Sequence, residues 1–232
     1  MNTTETTPIR HNAQPAEPPA GVEIIFRYFP GLTERQRRQF EMLGTLYPEW
    51  NAKVNVISRK DIANLYEHHV LHSLAIARLF TPESGTTIVD LGTGGGFPGI
   101  PLAILWPDVR FHLIDRIGKK INVARSIAEA IGLGNVTFRH GDAGECHDRF
   151  DYVVSRAVTD LDKLVPMARK LISPRQHNKL PNGLICLKGG DLEAEISRSD
   201  IPRRNSDVLE QPVNEWFAEP FFETKKLVYK PF

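Results

Sequence analysis

The stretch VDLGTGGGFPGIPLA, residues 89 to 103, limits the possible folds of this chain more than any other part of it. An apolar run ends at the acid Asp90, five glycines follow, and a second apolar run begins at Ile100. In a doubly wound sheet, ligands bind where the strands end, and the first turn from strand to helix makes the approach. Side chains in that turn would hold a ligand away from the main chain. The stretch therefore predicts a buried strand, a ligand cradle and a helix.

Short apolar runs alternate with helical periods from residue 87 onwards, which indicates an α/β fold. The pattern predicts strands at 87–91, 110–115, 136–140, 152–155 and 184–187, and helices at 100–106, 119–131, 161–172 and 192–198. Such alternation is typical of a mostly parallel sheet with helices on both faces. Two further runs, 213–217 and 225–230, have no helix between them and predict an antiparallel pair at the sheet edge. The expected fold is a doubly wound, mostly parallel sheet of seven strands.

Helices are expected before this sheet. Apolar spacing predicts a helix over 33–52 with Thr33 as its N-cap, and a second helix over 61–80. The first residues are rich in Thr and Pro and poor in large apolar groups, so they cannot repay the entropy of ordering. We divide the chain into a disordered tail (1–21), an N-terminal helical extension (22–82) and an α/β domain (83–232).

Composition places the chain among ordinary soluble proteins. Hydrophobic residues make up 41% and charged residues 25% of the sequence, and the net charge of +1 argues against a polycation. Neither a secretion leader nor an apolar run of about 18 residues is visible. The two cysteines have no CxxC spacing, and His68 and His72 lack the glutamate of an HExxH site. We expect a cytoplasmic monomer with no metal and no membrane contact.

The glycines are compatible with two ligands. Gly94, Gly96 and Gly99 fit the GxGxxG pattern of dinucleotide-binding proteins, which leaves an NAD-dependent oxidoreductase as an open alternative. The same loop also reads Asp90-x-Gly92-x-Gly94-x-Gly96. That acid-led pattern is common in class I S-adenosylmethionine enzymes, which share the Rossmann-like fold.

Residues around the loop favour S-adenosylmethionine. Asp90 precedes the glycines, where a carboxylate would be unhelpful beside a pyrophosphate but favourable near a sulfonium and an amino group. Pro98 and Pro101 lack the N–H groups that a pyrophosphate needs at a helix start.

Acids also follow the next two predicted strands. Asp115 ends the second strand, where it would accept hydrogen bonds from the ribose hydroxyls of either cofactor. Asp142 follows the third strand and would face the adenine edge together with the backbone of Ala143 and Gly144. An ordinary turn aspartate is the alternative for Asp142.

The chain lacks the groups that several methyl-transfer reactions need. The fourth strand is followed by Ser155-Arg156-Ala157-Val158, not by the Asn/Asp-Pro-Pro-aromatic segment that accompanies transfer to an adenine amine. No cysteine follows a proline, as the nucleophile for a pyrimidine carbon typically does. A ring nitrogen such as guanine N7 attacks with its own lone pair, so proximity and exclusion of water suffice. Arg156 is the one candidate for a direct catalytic role, through a phosphate or the cofactor carboxylate.

Several stretches together resemble the bacterial small-subunit (16S) ribosomal RNA guanine-N7 methyltransferases, known also as glucose-inhibited division protein B. They are Trp50-Asn51 with Asn55-Val56-Ile57-Ser58, His69 with Ser73, DLGTGGGFPGIPLA, Asp115 with Gly118-Lys119-Lys120, VVSRA at 153–157 and LKGG at 187–190. The resemblance covers roughly residues 22–230. It implies S-adenosylmethionine as donor, a guanine of the decoding-region loop as acceptor, and small-subunit RNA or the 30S particle as partner.

The resemblance also implies roles for individual residues. Gly92, Gly94, Phe97, Ala143-Gly144 and Arg156 fall on positions that bind the cofactor in that family. Basic residues at the cleft rim are expected to meet RNA phosphates, or else to be only solvated: Arg59, Arg116, Lys119, Lys120 and Lys188. His72 stands where the family often has an aspartate, and 173–182 forms a longer loop. A non-catalytic, ribosome-binding assembly factor with a vestigial loop also stays open.

Overall fold

A mixed seven-stranded sheet forms the centre of the molecule. The structure is a computed structural model, and it describes residues 20–156, 158–193, 195 and 208–232. The strands are β1 (Thr87–Leu91), β2 (Arg110–Asp115), β3 (Val136–His140), β4 (Tyr152–Arg156), β5 (Gly183–Gly189), β6 (Leu209–Pro212) and β7 (Lys225–Pro231). Their order is β3-β2-β1-β4-β5-β7-β6, with β1 to β5 parallel and β7 antiparallel to β5 and β6. The order reverses between β1 and β4, which opens a crevice at their carboxyl ends.

Helices cover both faces of the sheet. They are α1 (Glu23–Tyr28), α2 (Glu34–Lys53), α3 (His72–Leu74), α4 (Ile76–Leu79), α5 (Gly99–Leu105), α6 (Gly118–Ala130) and α7 (Leu161–Leu171). Apolar residues of α2, α5 and α6 share one buried cluster, and those of α7 belong to a second. This arrangement confirms the predicted doubly wound fold. In the described part of the chain, no helix combines the length and apolarity that a bilayer crossing requires.

The N-terminal extension shares its core with the sheet. Helix α2 begins at the predicted cap, because the Thr33 hydroxyl accepts from the Gln36 N–H while the Gln36 side chain accepts from the Thr33 N–H. Phe40 and Leu43 are fully buried, in the same cluster as Ile100 of α5. The extension therefore supports the helix that follows the glycine-rich loop.

Two predicted elements are wrong. The helix expected over 61–80 is a 3-10 turn (Ile62–Asn64), a π-helix (Leu65–Leu71) and the short helices α3 and α4, because apolar spacing does not register the wider turn of a π-helix. The strand expected over 213–217 is a 3-10 helix, Val213–Glu215, and β6 precedes it. Val213 and Phe217 are fully buried, so their apolar character reflects core packing.

Apart from the helix predicted over 192–198, the remaining predicted strands and helices of the sheet domain are confirmed within two residues at each end. Helix α1 was not predicted. Most of the tail predicted over 1–21 and of the helix predicted over 192–198 lies outside the described residues.

Candidate active site

The glycine-rich loop between β1 and α5 has a left-handed backbone at several positions. Gly92, Gly94 and Gly96 have φ angles of 67°, 58° and 105°, which residues with side chains rarely adopt. A Cβ atom on Gly92 would lie 2.5 Å from Cγ2 of Val158, whereas one on Gly94 would meet nothing within 4 Å. The main chain at Gly94 therefore borders open space, as a ligand cradle requires.

The start of α5 uses its own N–H donors. The N–H of Ile100 donates to the Gly96 carbonyl at 2.7 Å, and that of Gly99 donates to Oδ2 of Asp90 at 2.8 Å. Pro101 has no N–H. A pyrophosphate at a helix start depends on such donors, so these positions offer it little, and the dinucleotide alternative loses support.

Asp90 is fully buried at the end of β1. Oδ2 accepts from the Thr93 hydroxyl at 2.6 Å as well as from Gly99, while Oδ1 has no partner among the described residues. Burial raises the pKa of Asp90 to about 7, and both hydrogen bonds oppose that rise. From the sequence, this carboxylate is expected near the sulfonium. In the structure it ties the two ends of the loop together, and its contact with a cofactor stays a prediction.

Asp115 joins the end of β2 to the glycine-rich loop. Its Oδ2 accepts from the Gly94 N–H and its Oδ1 from the Ile117 N–H, each at 2.8 Å. Each carboxylate oxygen can accept more than one hydrogen bond. Asp115 also lines the cleft, so its oxygens remain able to accept from ribose hydroxyls.

A cleft of about 490 Å³ opens at the carboxyl ends of β1 and β2. Four predicted cofactor residues line it, namely Gly92, Asp115, Asp142 and Ala143. Asp142 accepts from the Gly144 N–H at 2.7 Å, as a turn aspartate does, and its other oxygen lies 3.7 Å from the Arg116 guanidinium. Ile117 and Val158 add apolar walls that are 50% and 41% exposed. The strand order thus brings acids and glycines from separate turns to one cavity.

Phe97 and Arg156 belong to a second group, here called the Arg156 cluster: Asp61, His68, His69, Phe97 and Arg156. Nη1 of Arg156 donates to the carbonyls of His68 and His69 at 3.2 and 3.5 Å, and Nη2 lies 3.2 Å from Nδ1 of His69. The guanidinium carbon lies 5.0 Å from the centre of the Phe97 ring. The π-helix thereby fastens the N-terminal extension to the end of β4.

The tautomer of His69 follows from these contacts. A guanidinium can only donate, so Nδ1 of His69 accepts from Arg156. The ring proton therefore lies on Nε2, which donates to Oδ2 of Asp61 at 2.8 Å. Burial, reinforced by the Arg156 cation, lowers the pKa of His69 to about 4. Burial also lowers the pKa of Arg156, to about 10, so His69 is neutral and Arg156 charged at neutral pH.

Sequence reasoning missed two residues that complete this region. Asp61 also accepts from Nδ1 of His68 at 2.6 Å. Tyr47 of α2 donates its hydroxyl to the Gly95 carbonyl at 2.9 Å and packs 4.7 Å from the Phe97 ring. Burial raises the pKa of Tyr47. No spacing rule joins these residues to β4, although the apolar face of α2 indicated that Tyr47 is buried.

Lys188 differs from the other predicted RNA contacts. Its ammonium donates to the Thr159 carbonyl at 2.6 Å and to Glu195 at 2.9 Å, and the side chain is only 10% exposed. It therefore offers little to a phosphate, which corrects its placement on the open rim. The remaining predicted contacts have exposed or half-exposed side chains: Arg59, Arg116, Lys119 and Lys120.

The fold and the cleft are those of the Rossmann-like class of proteins, to which S-adenosylmethionine-dependent methyltransferases belong. The crystal structure of a SAM-dependent methyltransferase from Aquifex aeolicus matches this chain with a TM-score of 0.53 and 14% identity. The match covers 75% of this chain and 97% of that one. The ribosomal protein L11 methylase from Lactobacillus delbrueckii subsp. bulgaricus matches with a TM-score of 0.51 and 16% identity, over 69% of this chain and 76% of that one. At such identities the likeness shows the shared fold.

The chain belongs to the GidB family, whose model, described as rRNA small subunit methyltransferase G, matches residues 36–216. A Bacteroides fragilis protein named ribosomal RNA small subunit methyltransferase G is 58% identical over 229 residues, with 99% of each chain covered. A Porphyromonas gingivalis protein of the same name is 57% identical and covers 94% of this chain and 97% of its own. The family resemblance found in the sequence is thus confirmed.

Proposed function

We propose that this chain transfers a methyl group from S-adenosylmethionine to N7 of a guanine in the decoding-region loop of small-subunit ribosomal RNA. Family membership and the names of the curated relatives support the reaction and the substrate class. The observation that carries the proposal is the Asp115 carboxylate, which accepts from the Gly94 N–H and lines a cleft at the sheet's reversal point together with Gly92. Family membership also removes the basis of the oxidoreductase alternative.

The residues of the cleft fit the parts of the cofactor. Asp115 would accept from the ribose hydroxyls, and Asp142 with the backbone of Ala143 would face the adenine edge. Ile117 and Val158 offer apolar surface to a flat ring. S-adenosylmethionine supplies an electrophilic methyl group on a sulfonium. Residues on this chain need only bind, orient and shield it.

Arg156 is suited to hold the carboxylate of the cofactor's amino-acid part. A guanidinium has five N–H donors in a fixed fork, and the contacts to His68 and His69 involve only Nη1 and Nη2. Among the described residues, Nε–H of Arg156 makes no hydrogen bond and would be left for an anion. His69 and Asp61 would act as positioning residues, because they fix the orientation of the guanidinium without requiring contact with the cofactor.

The acceptor nitrogen needs no base from the protein. N7 of guanine carries an in-plane lone pair and no proton, so attack on the methyl carbon requires alignment at about 3 to 3.5 Å and exclusion of water. Exposed basic side chains at the rim, Arg116 and Lys119 among them, would hold RNA phosphates at the cleft. We also propose that the chain acts as a cytoplasmic monomer on the small-subunit RNA or on the 30S particle.

Methyl transfer from labelled S-adenosylmethionine to small-subunit particles and to free RNA tests this function. Borohydride and aniline cleave RNA chains at N7-methylguanine, and we expect one new cleavage site, in the decoding-region loop. Donor binding without any cleavage on a competent substrate would favour the assembly-factor alternative. Label at another base or ring atom would refute the guanine-N7 assignment.

A further inference from the structure

Three potential metal ligands meet away from the cofactor cleft. A ring nitrogen of His112, Sγ of Cys146 and a carboxylate oxygen of Asp148 lie within 4.8 Å of one another. His112 is on β2, while Cys146 and Asp148 are on the segment that leads to β4. Cys146 is a free thiol with 5% of its surface exposed, and none of the three lines the cleft.

The contacts of Thr137 are compatible with a metal-binding tautomer of His112. The Thr137 hydroxyl lies 3.2 Å from the Phe111 carbonyl oxygen and 2.7 Å from Nδ1 of His112. When the hydroxyl donates its single proton to the carbonyl, its oxygen accepts from Nδ1–H. In that tautomer Nε2 presents a lone pair. Metal-binding histidines are commonly held in this way, with the second nitrogen donating to a neighbouring acceptor.

The lone pair on Nε2 of His112 has no partner in the described structure. The atom is shielded from solvent and takes part in no hydrogen bond. Burial of an unpaired acceptor is unfavourable, so such an atom calls for an explanation.

We propose that His112, Cys146 and Asp148 bind a zinc ion, with water as the fourth ligand. Imidazole nitrogen, thiolate sulfur and carboxylate oxygen are the donors that zinc accepts, whereas magnesium and calcium prefer oxygen alone. Coordination forms the zinc–sulfur bond as the thiol proton passes to solvent, and no electron is transferred.

The geometry requires only a small contraction on binding. Bonds of about 2.0 to 2.3 Å to a tetrahedral ion hold ligand atoms about 3.5 Å apart. Cys146 and Asp148 lie outside helices and strands, after the 3-10 turn Ala143–Glu145. This irregular segment can move towards the ordered strand β2 more easily than the strand can bend.

The position of the site gives it a structural consequence. The loop that carries Cys146 and Asp148 also carries Asp142 and Ala143, which line the cofactor cleft. The strand that carries His112 ends in Asp115. A bound ion would therefore fasten the loop to the strand and hold two walls of the cleft together. We expect zinc to raise the unfolding temperature of the full chain.

Cobalt(II) serves as an optical probe of the site. The full-length, reduced protein is freed of metal with a chelator and titrated with cobalt. We expect one equivalent to produce a thiolate-to-cobalt band in the near ultraviolet and the visible bands of tetrahedral cobalt, and zinc to bleach both. Absence of the thiolate band in the wild-type protein would overturn the proposal.

Matched variants locate the bound ion. Cys146→Ser should abolish the band, whereas Cys186→Ser should keep it, because Cys186 is a buried thiol of β5 outside the cluster. Asp148 is exposed, so Asp148→Asn should fold normally and weaken zinc binding at least tenfold. A band that survives Cys146→Ser, or unchanged zinc affinity in Asp148→Asn, would refute the site. These measurements read metal binding and do not depend on methyl transfer.

Discussion

The cofactor cleft and the Arg156 cluster are built by different physical means. In the cleft, main-chain groups and acids at strand ends line open space, as Gly92 and Asp115 do. In the Arg156 cluster, partly buried side chains from the N-terminal extension and from β4 contact one another, as His69 and Arg156 do. The comparison indicates that the cleft provides the binding space, whereas the cluster provides orientation. Substitutions in the cleft should therefore abolish cofactor binding, whereas substitutions in the Arg156 cluster should only weaken it.

The largest effect is expected for Gly94→Val. The side chain would fill the open space of the cradle, where the φ angle of 58° also disfavours any Cβ. We expect affinity for S-adenosylmethionine, measured by titration calorimetry, to fall by more than about a hundredfold, or about 3 kcal/mol.

Gly85→Val is the matched control for this substitution. Gly85 has a φ angle of 82°, and its Cβ would also meet nothing within 4 Å. It precedes the amino end of β1, whereas Gly94 follows the carboxyl end and donates its N–H to Asp115 of the cleft. Its backbone strain should be similar, about 1–2 kcal/mol, with cofactor affinity retained. An equal loss of affinity in both variants would mean that strain, rather than the filled cradle, causes the defect.

An intermediate effect is expected for His69. His69→Phe removes the acceptor that faces Arg156 and the donor that faces Asp61. A hydrogen bond to a charged group contributes about 1.5–3 kcal/mol, so the KM for S-adenosylmethionine should rise about tenfold or more, with a smaller change in kcat. His69→Asn, which keeps an oxygen near the position of Nδ1, should recover more activity than His69→Gln. The reverse order would show that Asp61, not Arg156, is the partner that matters.

The same histidine should affect the pH dependence of stability. The pKa of His69 is about 4 in the folded protein and about 6.5 in an unfolded chain. As the pH falls, His69 therefore binds a proton in the unfolded chain before it does so in the folded protein. Its contribution to the stability of the fold is present above pH 6.5 and is lost as the pH falls towards 4. Over this range, the free energy of unfolding should fall less steeply with decreasing pH in His69→Asn than in the wild type. The two slopes should differ by up to about 1.4 kcal/mol per pH unit.

Urea unfolding at several pH values measures this difference. The pKa of Asp90 is raised to about 7, so its contribution has the opposite sign and declines as the pH rises. Asp90 is present in both proteins, so it cancels in the comparison. Parallel pH profiles for the wild type and His69→Asn would contradict a neutral, buried His69.

The smallest effects are expected at the rim of the cleft. Arg116→Ala and Lys119→Ala should each weaken RNA binding a few-fold and reduce the slope of log affinity against log salt by about 0.7–0.9. Cofactor affinity should not change in Lys119→Ala, because Lys119 does not line the cleft. Lys188→Ala should lower the unfolding temperature and leave the slope unchanged, because that ammonium is paired inside the protein. A reduced salt slope in Lys188→Ala would show that Lys188 does contact RNA phosphates.

Local pattern predicted the frame of the cleft well. Strands β1, β2 and β3 were placed at their exact bounds, and the Thr33 cap was confirmed, because strand periodicity and capping depend on neighbours in sequence. The π-helix escaped prediction, since its apolar spacing also fits an ordinary helix. Strand β6 was misplaced because the buried Val213 and Phe217 resemble a strand although they fill the core.

The sequence by itself determined the positions of the glycine-rich turn and of the aspartates at the strand ends, since each of these residues belongs to one local turn. Only the tertiary structure decided that Asp61 and His69 meet Arg156, and that His112 meets Cys146 and Asp148. It also turned Lys188 inward. These groups come from distant segments, and their separation depends on strand order and helix packing, which local periodicity does not encode.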